Sequence, residues 1–97
     1  MLKGKQRSYL KGLANALDPV VYIGKNELTE NTLKEMDDYL EVHELLKVKI
    51  QDNVELDPKP VANEAAAQLG AEYVQAIGRK FVLYRESKKN KQIVLPK

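Results

Sequence analysis

A chain of 97 residues with no cysteine and a single histidine has room for one modest core and few ways to do chemistry. Disulfides, thiolate metal sites and cysteine nucleophiles are excluded, as are a His-based zinc site and a His–His acid/base pair. Hydrophobic residues at 43% and charged residues at 31% predict one folded domain over residues 1–97, with no membrane-length apolar run and no apolar secretory leader, hence a cytoplasmic location.

In chain order, Leu10, Leu13, Ala14 and Leu17 recur at helical spacing, so residues 5–17 read as a helix that Asp18-Pro19 stops. Arg7 and Lys11 are i, i+4 neighbours on the flank of that stripe and are expected to be exposed. Val20-Val21-Tyr22-Ile23 is a short strand of buried type, and Gly24-Lys25-Asn26-Glu27 a tight loop. Thr29 is the expected N-cap of a second helix over residues 30–43, with Leu33, Met36, Leu40 and His43 inward and Glu35, Asp37, Asp38 and Glu41 outward. His43 is accounted for by packing and the helix dipole at that C-terminus.

Leu46, Val48 and Ile50 alternate with Lys47, Lys49 and Gln51, a half-buried strand with one apolar and one basic side. After a loop from Asp52 to Asp57, Pro58 or Pro60 opens a third helix with the stripe Val61, Ala62, Ala65 and Leu69, and Gly70 follows its end. Tyr73 to Ile77 and Phe81 to Tyr84 read as a hairpin turning at Gly78-Arg79-Lys80, and Ile93-Val94-Leu95 as a short edge strand. The order α-β-α-β-α-β-β predicts an α/β (α+β) fold, a four-stranded mixed sheet with packed helices.

The net charge of +2 hides a segregation. Residues 1–25 carry +4, residues 26–66 carry −7 and residues 67–97 carry +5. If the termini fold side by side, one face is basic and suits a polyanion. No nucleophile–base constellation and no Gly-x-x-x-x-Gly-Lys-Ser/Thr pattern is present. The Gly24 loop follows a buried strand and opens a helix, where free amides and the dipole can hold a phosphate, although a plain strand-to-helix turn with glycine at positive φ would read the same.

Several strings taken together are more specific. Lys5-Gln6-Arg7, Leu10-Lys11, Leu13-Ala14, Pro19-Val20-Val21, Ile23-Gly24-Lys25-Asn26, Leu28-Thr29, His43 to Lys49, Leu69-Gly70-Ala71 and Gly78 to Arg85 stand in order along almost the whole chain. In this the chain resembles a CRM domain (chloroplast RNA splicing and ribosome maturation), in particular the stand-alone, YhbY-like bacterial proteins. The resemblance implies RNA binding, association with precursors of the large ribosomal subunit, and a fold shared with the C-terminal domain of translation initiation factor three. It also points to a Gly-x-x-Gly loop, from which this chain departs at Glu27. An acid there repels phosphate, and Asn26, which tolerates the left-handed conformation, is the residue expected to carry the turn.

The expected RNA contacts are Arg7 and Lys11 from the first helix, Gly24, Lys25 and Asn26 cradling the backbone, and Arg79 and Lys80 at the hairpin. Arg85 joins them, although Glu86 or an acid of the second helix is a competing partner. Tyr22, Tyr73 and Tyr84 are read as half-buried packing residues rather than stacking platforms. Neither catalysis nor a cofactor, metal, membrane or small-molecule partner is expected, and the state expected is a monomer. The alternative is a protein-interaction module docking on a ribosomal protein or GTPase through its acidic helix; a small-molecule enzyme is the third reading.

Overall fold

The computed structural model describes residues 2–97. Its elements are α1 (Gly4–Ala14), β1 (Val21–Ile23), α2 (Glu30–His43), β2 (Leu45–Ile50), α3 (Pro58–Leu69), β3 (Glu72–Ile77) and β4 (Lys80–Tyr84). They form an α+β fold with a four-stranded mixed sheet in the order β1-β2-β4-β3. β1 runs parallel to β2, and the other neighbours are antiparallel.

The alternation along β2 sorts the molecule into three layers. Leu46, Val48 and Ile50 point to the main core with Met36 and Leu40 of α2 and Val61, Ala62 and Ala65 of α3. Leu45 points the other way, into a smaller cluster with Leu10 and Ala14 of α1 and with Val74, Val82 and Tyr84. α1 therefore covers one face of the sheet, and α2 and α3 cover the other.

The caps follow local chemistry. The Thr29 hydroxyl accepts from the Thr32 amide at 3.1 Å, and the Asp57 carboxylate from the Lys59 amide at 3.1 Å, with Pro58 in the first turn of α3. Gly70 ends α3 at φ +64, where a side chain would be strained.

Three expectations are corrected. α1 ends at Ala14 rather than residue 17, because Lys47 Nζ from β2 donates to the carbonyls of Ala14 (3.2 Å) and Leu17 (3.1 Å) and satisfies the frayed end from outside the helix. His43 is exposed rather than inward, its ring lying 4.3 Å from that of Tyr39. Residues 93–95 form no strand. Ile93 and Leu95 pack on the smaller cluster, and their segment is held by a side chain, Glu44, in place of a ladder.

Candidate nucleic-acid interface

The loop after β1 sits at one end of the sheet, beside the loop after β2 and the β3–β4 hairpin. The Gln51 amide donates to Ile23 O at 2.9 Å and the Ile50 amide to Arg79 O at 2.8 Å, which ties the three loops together. Lys25 and Asn26 are exposed at the loop tip. Gly24 has no positive φ, so turn strain does not account for it, and a Cβ there would meet only the mobile end of Gln51, 3.3 Å from Oε1. The left-handed residue is Glu27, at φ 58, and its amide donates to Gly24 O at 3.0 Å to close the turn. This corrects the expectation that Asn26 carries the turn. It also gives a physical reason for a glycine at the fourth loop position, since only glycine takes that φ without cost.

A non-glycine residue held left-handed costs on the order of 1 kcal/mol, more than the extra chain entropy that glycine brings. Glu27→Gly should therefore raise stability by roughly 0.5–1 kcal/mol, visible as a rise of a few degrees in melting temperature. It should also raise RNA affinity by about tenfold or less, because one solvated charge beside a phosphate is removed. A fall in melting temperature would show that the Glu27 side chain braces the loop.

Gly78, at φ +62, takes the first position of the two-residue hairpin loop, as a type II′ turn requires. Arg79, the second, is a strut. Its Nε donates to Ile50 O (3.3 Å), and its Nη2 to Gln51 O (2.6 Å) and to Val54 O. Three backbone acceptors occupy the guanidinium, so Arg79 shapes the surface rather than offering a free charge. Arg85 is also engaged. It reaches Asp37 Oδ1 at 2.6 Å, Leu69 O at 2.9 Å and Asp37 O at 3.0 Å, with its side chain only 20% exposed, and so pins α2 to the end of α3. Arg7 is half-buried, contrary to expectation, with Nε donating to Tyr73 O at 3.3 Å.

The remaining predicted cations stay available. Lys11, Lys25 and Lys80 are exposed, with no acidic partner among the described residues. Lys80 is in register with Lys49, Lys49 with Tyr22, and Lys80 also with Ile77. Paired residues share a face, so these four form a row across the sheet on the side that carries α1. Tyr22 is 54% exposed and Ile77 67% exposed, so α1 leaves this end of the face bare. Tyr84 is buried and Tyr73 half-buried, as packing residues. Lys49 was not singled out from sequence, and Tyr22, expected to be a half-buried packing residue, is instead exposed because α1 does not reach it. The basic side of the second strand was the visible signal, but only strand pairing sets it beside Lys80.

The layers separate the charge. α1 contributes Lys5, Arg7 and Lys11 and no acid, on the same side as Lys49 and Lys80. α2, on the opposite face, contributes five acids (Glu30, Glu35, Asp37, Asp38 and Glu41) against Lys34. Such an arrangement orients the molecule in the field of a polyanion. Among the described residues no cluster of three His, Asp or Glu side chains could hold a metal ion, and no helix is long and apolar enough to cross a membrane.

The chain is similar over almost its whole length to known proteins. The sequence model of the CRS1 / YhbY (CRM) domain matches residues 2–85. A Bacillus subtilis protein named "Probable RNA-binding protein YqeI" is 42% identical over 99% of this chain and 100% of its own length. A Haemophilus influenzae protein named "RNA-binding protein" is 43% identical over 99% of this chain and 96% of its own. The solution structure of SAV1595 from Staphylococcus aureus superposes with a TM-score of 0.84 at 47% identity, covering 99% of this chain and 100% of that one.

Proposed function

The chain belongs to the CRS1/YhbY (CRM) domain family, and from that premise we propose that it is a non-catalytic RNA-binding protein that associates with precursors of the large ribosomal subunit. One observation carries the reading: unpaired Lys11 of α1 and Lys80 of β4 stand with Lys49 on one side of the sheet, unpaired Lys25 stands in the Gly24 loop at the end of the sheet, and the acids of α2 lie on the other side. Phosphates are contacted by these lysines and by the amides of the loop at the N-terminal end of α2. The Gly24 backbone, bare of a side chain, lets the nucleic-acid strand approach. Arg79 holds that surface in shape, whereas Arg85 braces α2 against α3 at the other end of the sheet. The protein acts in the cytoplasm as a monomer, one domain per chain.

Docking through the acidic helix has less support, because Asp37 is occupied by Arg85, and Glu41 by Ser87, Lys88 and Lys89. In a sucrose gradient at low salt the protein should cosediment with large-subunit precursors, and Lys25→Ala should move it towards the top. Migration of the unmodified protein with the free fraction at every salt concentration would remove the ribosomal assignment.

A further inference from the structure

Beside the row of Tyr22, Lys49, Lys80 and Ile77, the C-terminal end of α1 and the bare sheet enclose a cleft of about 350 Å³. Its walls include Asn15, Lys47, Gln75, Ile77, Lys80 and Val82. The cleft exists because of an irregularity in β3. The pairing shifts between Tyr73, opposite Leu83, and Gln75, opposite Val82. Val74 and Gln75 thus stand in succession on the α1 side, where regular alternation would have turned Gln75 towards α3. Lys47 is committed to the end of α1, and Arg79, also at the rim, to the loop after β2. The side-chain carboxamides of Asn15 and Gln75 have no hydrogen-bond partner among the described residues.

We propose that this cleft holds an unpaired base of single-stranded RNA, its edge read by the Asn15 and Gln75 amides, a site that rests on the RNA-binding reading above. Three features select that ligand. Carboxamides present a donor and an acceptor side by side, which is the pattern that reads a base edge. Ile77, largely exposed, supplies an apolar wall for a flat ring, and Lys80 at the rim supplies charge for the phosphate that follows. The cleft is recessed, so a base stacked within a duplex cannot enter it, whereas a splayed base can. From the Gly24 loop, a strand passing over the exposed ring of Tyr22 and along Lys49 and Lys80 crosses three inter-strand spacings, about 14 Å, to reach the cleft. Tyr22 offers that strand a stacking face on the way.

The test is fluorescence anisotropy on the full chain with short labelled homopolymers of A, C and U and with an RNA duplex of matching length. The unmodified protein should bind one homopolymer about fivefold or more better than the others, and each of them better than the duplex. Asn15→Ala and Gln75→Ala should each reduce the base preference to within about twofold, with the salt dependence and melting temperature unchanged. Lys25→Ala should weaken every homopolymer alike. Equal binding of the three homopolymers, a preference that survives both amide substitutions, or a duplex bound as tightly as the single strands would overturn the base pocket while leaving RNA binding intact. An unmodified protein that binds none of these RNAs would overturn the RNA-binding reading itself and the pocket with it.

Discussion

Glu44→Ala should destabilise the protein by about 3–5 kcal/mol and release the C-terminal segment. Glu44 is 0% exposed and sits just after α2 at φ 67. One carboxylate oxygen accepts from the Ser87 amide at 2.7 Å, and the other from the amides of Gln92 at 2.6 Å and Ile93 at 2.7 Å. Burial alone would push its pKa up, but these three amides, with Lys91 nearby, hold it below the ordinary carboxylate value of 4.5. Alanine leaves three N–H groups with no acceptor and still has to occupy the left-handed position. Urea denaturation should show the loss, and amide exchange should show residues 87–93 unprotected. A change under about 1 kcal/mol with the segment still protected would contradict this account.

Acid should act in the same direction. A carboxylate whose folded pKa is lowered contributes stability that is complete above its unfolded value and is lost as pH falls through the folded one. Glu41 is lowered as well, first by the Ser87 hydroxyl and then by the amides of Lys88 and Lys89. The C-terminal segment should therefore detach as pH drops below the ordinary carboxylate range, and Glu44→Gln should flatten that acid limb.

Lys25→Glu combined with Lys80→Glu should lower RNA affinity by about a thousandfold, with folding intact. Each reversal replaces an attraction on the order of 1 kcal/mol with a comparable repulsion, and both side chains are exposed and bonded to nothing within the described residues. If Lys11, Lys25, Lys49 and Lys80 each meet a phosphate, log K should fall against log salt with a slope of about −3 to −4, and the double variant should lose about two units of that steepness. An unchanged affinity in the folded double variant would remove the loop and the row from the interface. A flat salt response of the unmodified protein would favour a protein partner.

The order of elements, the Thr29 cap of α2, the proline opening of α3 and the turn glycines Gly70 and Gly78 were legible in the sequence, because helical spacing, capping hydroxyls, proline and left-handed turns act within a few residues of chain. The family was legible for the same reason, through short strings kept in order. The fate of each charge was not. Arg7, Arg79 and Arg85 look like phosphate ligands in the sequence, yet their acceptors, Tyr73 O, Ile50 O and Leu69 O, lie 66, 29 and 16 residues away. Glu44 reads as one more surface acid, although its partners are 43 to 49 residues further on. The β3 irregularity that turns Gln75 into the cleft, and the pairing that sets Tyr22, Lys49 and Lys80 in one row, exist only once strands are in register. Sequence determines what is local: backbone preference, periodicity and the supply of charge. Which lysines stay free and which arginines become struts is decided by tertiary structure, because a cation is claimed by whichever buried carbonyl or carboxylate packing brings within reach.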